Sequence, residues 1–74
     1  MISLDDLTEE QSSQFKKMVD ECILENSEIP EMKEGLAYID YLAHDQKMSI
    51  YDLLLNLYTI VEAVDAIDEW EKYK

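Results

Sequence analysis

Arginine is missing from this chain altogether, and its six cations, all lysine, are set against 18 acidic residues. Direct nucleic-acid binding is thereby disfavoured, because such proteins displace counterions with clustered cations and use the arginine fork to read bases or grip phosphate. Anionic membrane surfaces are disfavoured for the same reason. A single cysteine, Cys22, allows neither a disulfide framework nor a paired-cysteine metal motif. A single histidine, His44, gives no support to a Ser/His/Asp arrangement and leaves zinc little to build on. One glycine cannot make a phosphate-cradling loop. No apolar run approaches the roughly 20 residues of a membrane span, and no basic start leads into an apolar leader, so the expected compartment is the cytoplasm.

Apolar residues nonetheless make up 47% of the 74 positions, Gly35 and Pro30 are the only strong breakers, and β-branched alternation is absent. This composition predicts one all-α domain over 1–74, a compact three-helix bundle with a long C-terminal helix and a short N-terminal helical turn. The N-terminal turn rests on Met1–Leu7, where Ser3 and Asp6 have cap spacing and Leu4 and Leu7 can tuck against the bundle. Thr8 with Gln11 is a clearer capping box and opens a helix over about 9–25. Its expected buried side is Phe15, Met18, Val19, Cys22 and Ile23, with Lys16, Lys17, Asp20 and Glu21 on the wet side.

Asn26, Ser27 and Pro30 form the first break, and Pro30 suits the first position of a second helix over about 30–45. Met32, Leu36, Ile39, Leu42 and Ala43 are its expected inward residues. Gly35 within that stripe predicts a close approach of two helices. The short second break, 45–48, turns the chain sharply, and YLAHDQKMSIYDLLLNLY has the apolar rhythm of a helix-turn-helix. Its second helix lacks cations at the start, so it is expected to be a packing corner.

The third helix is expected over 50–73, with Ser49 and Asp52 as its capping pair. Ile50, Leu53, Leu57, Ile60, Val64 and Ile67, beside Leu54 and Val61, form one apolar stripe, assigned to the core. Tyr51, Leu55, Tyr58, Ala66 and Tyr73 project away from that stripe, with Ala63 and Trp70 almost opposite it. Glu62, Asp65, Asp68, Glu69 and Glu71 then crowd the last turns, opposed by Lys72 and Lys74, where the helix dipole disfavours negative charge.

A second apolar side rimmed by acid is the expected partner face, formed by Tyr51, Leu55, Tyr58, Glu62, Asp65, Glu69, Trp70 and Tyr73. Tyrosine and tryptophan anchor interfaces through large area, little rotamer entropy and a polar tip, and a net charge of −12 steers the chain toward basic surfaces. The expected function is a non-enzymatic binding module with no cofactor, docking on a basic protein surface such as that of a nucleic-acid enzyme or complex, as an inhibitor or regulator. In size and charge it is similar to small phage proteins that inhibit host polymerases, nucleases or defence complexes, and to immunity proteins that neutralise nuclease toxins. A structural or adaptor role through the same apolar face, including a homodimer, is a further alternative.

Glu31-x-x-Glu34 and Glu62-x-x-Asp65 give another alternative. Paired carboxylates on separate helices can converge on Mg²⁺, which then polarises a substrate phosphate. The spacing resembles the E-x-x-E and E-x-x-D motifs of the all-α nucleotide pyrophosphohydrolases, the MazG-like family. That resemblance implies Glu31, Glu34, Glu62 and Asp65 as metal ligands, and hydrolysis of nucleoside triphosphates to monophosphates.

Overall fold

Thr8 and Gln11 satisfy each other at the start of the first long helix. The Gln11 backbone N–H donates to Thr8 Oγ1 at 3.1 Å, and the Thr8 N–H donates to Gln11 Oε1 at 3.1 Å. From this cap α1 runs Glu9–Ser27, two residues beyond the expected end. Ser27 Oγ donates to the Leu24 carbonyl, one of those the ending helix leaves without a helical partner, and Asn26 Nδ2 adds a donor to the Cys22 carbonyl. The computed structural model describes residues 2–73; Met1 and Lys74, both invoked in the expectations above, lie outside them.

Before α1, Leu4–Asp6 forms a 3-10 turn in which Asp6 Oδ2 accepts the Ser3 N–H at 2.9 Å, and Leu7 is buried as expected. After α1, Pro30–Met32 forms a second 3-10 turn, and α2 follows over Lys33–Asp45. Proline tolerates the first position of such a turn because its missing N–H has no partner there to lose. α2 ends in a Schellman arrangement: the Met48 N–H donates to the Ala43 carbonyl at 3.0 Å and the Lys47 N–H to that of His44 at 3.1 Å. Lys47 takes the left-handed conformation this requires, with φ of 56°.

The long C-terminal helix is divided. α3 covers only Ile50–Leu55, and α4 covers Ile60–Lys72. Asn56 Nδ2 donates back to the Asp52 carbonyl at 2.8 Å and closes α3. Thr59 then opens α4 with a capping box, Oγ1 accepting the Glu62 N–H and Glu62 Oε1 accepting the Thr59 N–H, both at 3.1 Å. Among the described residues there is no strand, so the all-α architecture stands, with three helices of bundle length and a single-turn α3 joining two of them.

The break rotates α4 relative to α3, so one 3.6-residue projection does not carry across it. Leu55 and Ala63, assigned to the outer side, are fully buried; Leu57, Ile60 and Val61, assigned to the core, are exposed. The core cluster is Leu7, Phe15, Val19, Leu55, Ala63 and Ile67, drawn from the N-terminal turn, α1, α3 and α4. α1 and α4 make the most extensive helix–helix contact, and Ala63 of α4 is wholly buried. Burying Phe15, Leu55 and Ile67 contributes about 1.5–3 kcal/mol each before conformational entropy opposes it.

α2 contributes a single buried side chain, Ala43. Met32 is exposed and Leu36, Ile39 and Leu42 are only half-buried, in place of the inward stripe expected of all four. Cys22, expected in the core, is exposed. Gly35 is at no close approach, since a Cβ built on it meets nothing within 4 Å. The molecule is a slab of 32 × 30 × 16 Å. Its radius of gyration, 12.5 Å, lies above the roughly 11 Å of a fully compact chain this long.

Candidate functional site

Asp20 and Glu21, on the side of α1 read as solvated, receive two of the aromatic anchors assigned to a partner. The Tyr51 hydroxyl donates to Asp20 Oδ1 at 2.7 Å and the Trp70 indole Nε1 donates to Glu21 Oε2 at 2.9 Å. The Lys16 ammonium lies 5.8 Å from the centre of the Tyr51 ring, an added cation–π contact. The hydrogen bond to Asp20 is the main reason the Tyr51 phenol is raised above its ordinary 10.0, with partial desolvation and the negative charge of Asp20 adding to it.

The eight residues of the expected partner face therefore do not form one exposed surface. Leu55 is core and has no area to offer. Tyr51 and Trp70 are half-buried and tied to α1. Tyr58 is partly exposed and stands edge-on to Phe15, ring centres 6.3 Å apart at 84°. Glu62 caps α4 but remains solvent-accessible, Asp65 is exposed, Glu69 lies 3.5 Å from the Lys72 ammonium, and Tyr73 is 86% exposed near the end of the chain. Acids toward the end of the chain were read as opposing the helix dipole. For Glu62 this is reversed: the break puts it in the first turn of α4, where negative charge is favoured.

Among the described residues no three His, Cys, Asp or Glu side chains come together as a metal site would require. Glu31 stands in the 3-10 turn after Pro30, Glu34 in the first turn of α2, and Glu62 is engaged by its own cap. The four carboxylates of the Mg²⁺ alternative do not form a ligand cluster.

What the structure does assemble is an apolar groove of about 330 Å³. Met18, Cys22, Ile23 and Asn26 of α1 form one wall, and Met32, Leu36 and Ile39 form the second. Leu54, Leu57 and Tyr58, at the junction of α3 and α4, form the third, with Phe15 and Val19 beneath. Exposed apolar side chains continue along the chain beside these walls, Leu57 at 76%, Val61 at 70% and Leu24 at 66%. A larger hollow of about 550 Å³ beside the N-terminal turn is lined by Ser3, Leu4, Ser12, Lys16 and Asp52, but it is shallow. Its polar groups already hold the fold together, Ser12 Oγ donating to the Leu4 carbonyl and Asp52 accepting the Leu4 N–H. The smaller, drier groove is the better candidate for ligand contact.

Periodicity over 50–73 as one helix does not reveal the groove, because its third wall exists only where α3 stops. The Thr59/Glu62 pair was the available signal, with the same spacing as Thr8/Gln11.

The segments that wall this site carry uneven charge. Every acidic residue except Asp52 is exposed, and Asp52 is half-buried. Between Asp20 and Asp45, the stretch that supplies two walls, Lys33 is the lone lysine among Asp20, Glu21, Glu25, Glu28, Glu31, Glu34, Asp40 and Asp45. Among the described residues, ion pairing amounts to the Lys72–Glu69 contact, and no helix is long and apolar enough to cross a membrane.

Comparison of the chain with protein-family models, with curated proteins and with solved structures finds no significant match.

Proposed function

We propose that this chain is a small acidic, non-enzymatic binding module that docks on the basic surface of another protein, one that handles nucleic acid, and inhibits or regulates it. The observation that carries this reading is the excess of exposed carboxylate. The 18 acids face six lysines, and ion pairing among the described residues neutralises one of them. So much unpaired charge repels itself within the monomer and finds relief against a cationic partner, whose phosphate-binding positions carboxylates can occupy. The single exposed thiol, Cys22, suits a reducing compartment such as the cytoplasm.

The test is capture of partners from a lysate of the natural source on the tagged chain at low and high salt, beside a charge-depleted variant, Asp65→Asn with Glu69→Gln. The expected outcome is a basic, nucleic-acid-handling protein retained at low salt, released at high salt and weakened by the variant, because exposed charge pairs are screened within a Debye length of about 10 Å at 0.1 M. Adding the purified chain to that protein should then change its activity. Retention indifferent to both salt and variant overturns the reading. Mg²⁺-dependent hydrolysis of a nucleoside triphosphate by the purified chain, lost in Glu62→Gln with Asp65→Asn, overturns it in favour of the hydrolase alternative.

A further inference from the structure

The groove between α1, α2 and the α3–α4 junction is apolar within, and the segment that links its first two walls carries an excess of exposed acid; those two properties together specify its occupant. We infer that it receives the apolar side of a basic amphipathic helix supplied by the partner. This rests on the docking proposed above and gives that docking a seat.

Inside, Met18, Ile23, Leu36, Ile39 and Leu57 offer carbon surface. The polar amide of Asn26 is occupied by the Cys22 carbonyl at 2.7 Å. An occupant must therefore bring aliphatic or aromatic groups, as a helix does with residues at i, i+3, i+4 and i+7 laid between helical walls. Met18 and Met32 suit such contact, since unbranched thioethers adapt their shape to what they meet.

Outside, Glu25, Glu28, Glu31 and Glu34 are exposed beside or between Asn26 and Met32 of the first two walls, with Lys33 the lone cation among them in sequence, and that excess calls for cations on the flanks of the occupant. Charge disfavours a second copy of this chain, which would bring a net −12 against another net −12. A lysine- or arginine-flanked helix satisfies both demands: its apolar side fills the groove and its cations meet Glu25, Glu28, Glu31 and Glu34, all exposed.

Cys22 is the lone cysteine, is exposed and lines the groove, so its reaction with iodoacetamide reports occupancy directly. The probe is a synthetic peptide of leucine and lysine with leucines at helical spacing. Two controls accompany it, one with serine replacing every leucine and one with glutamate replacing every lysine. The Leu/Lys peptide should bind, slow Cys22 alkylation at least tenfold at saturation, and shift amide resonances of α1, α2 and the α3–α4 junction. Leu57→Asp should weaken that binding at least tenfold. Leu57 is 76% exposed, so the core is left intact, and an added negative charge would otherwise strengthen attraction to lysine. Lost apolar contact is then the remaining cause of weakening.

If the serine peptide binds as tightly and Cys22 stays reactive, the groove proposal is overturned while the acidic docking reading survives. If the glutamate peptide binds equally, the demand for cations is overturned. If neither basic peptide binds at low salt, both proposals fall. Concentration-dependent protection of Cys22 by the chain itself, abolished by Leu57→Asp, would make a second copy the occupant and overturn the inference.

Discussion

Asp52 accepts the backbone N–H of Leu4 through Oδ1 at 3.0 Å, a contact spanning 48 positions. Its Oδ2 accepts from the Ser49 hydroxyl at 3.2 Å, while Ser49 Oγ accepts the Asp52 N–H at 3.1 Å. One carboxylate thus secures the start of α3 and holds the N-terminal turn against it. Asp52→Ala leaves a part-buried N–H without its acceptor and should cost about 1–3 kcal/mol. Urea unfolding should show a lower midpoint with an unchanged slope, and Asp52→Asn, which keeps an oxygen for Leu4, should lose less.

Thr59→Ala removes the side-chain acceptor for the Glu62 N–H and should destabilise the fold by about 1 kcal/mol. Glu62→Gln should be close to neutral, because glutamine fills the same place in a capping box. The pair separates structure from binding: thermal unfolding should register the first substitution, and partner affinity the loss of charge in the second.

Glycine and left-handed backbone have parted company in this chain. Gly35 has no positive φ and open space where a Cβ would go, while Lys47 carries the φ of 56° that glycine adopts most readily. Gly35→Ala should stabilise by about 0.4–1 kcal/mol through the unfolded chain and helix propensity. Lys47→Gly should relieve left-handed strain of order 1 kcal/mol, less the entropy a glycine adds to the unfolded chain. The sites lie at opposite ends of α2, so the gains should add, read as the denaturation midpoint of the double variant.

Tyr51 should ionise above the ordinary tyrosine value of 10.0 in a spectroscopic titration, because its proton is held by Asp20. With the folded pKa above the unfolded 10.0, the folded state binds the proton more tightly. The stability this bond supplies is therefore complete below pH 10.0 and is lost as pH rises through the folded value. Tyr51→Phe should flatten that alkaline part of the stability profile and leave the neutral part of its shape unchanged.

Much of the fold was legible because helix ends are written locally. Thr8/Gln11, Ser49/Asp52 and Ser3/Asp6 lie three residues apart, and each pair makes a bond at the start of the element it was expected to open. Thr59/Glu62 has the same spacing, but it lies within an unbroken apolar rhythm, and period masked punctuation. From that one omission followed the exchange of Leu55 and Ala63 with Leu57 and Val61 between core and surface. The turning of Tyr51 and Trp70 toward α1 was not legible, since Asp20 and Glu21 are 31 and 49 positions away in sequence. The groove was hidden for a related reason: its walls come from residues as far apart as Met18 and Tyr58, and the periodicity of any one helix is silent on how they meet.

α2 buries Ala43 alone and adds nothing to the core cluster, while α1 contributes Phe15 and Val19 and α4 contributes Ala63 and Ile67. Amide hydrogens in α2 should accordingly exchange with deuterated solvent through a sub-global opening that leaves α1 and α4 protected. Since α2 supplies a wall of the groove, an occupant would couple to this opening, and deuterium uptake in α2 would slow as the site filled. The least secured helix of the monomer is thus the one whose order would be completed by whatever the groove admits.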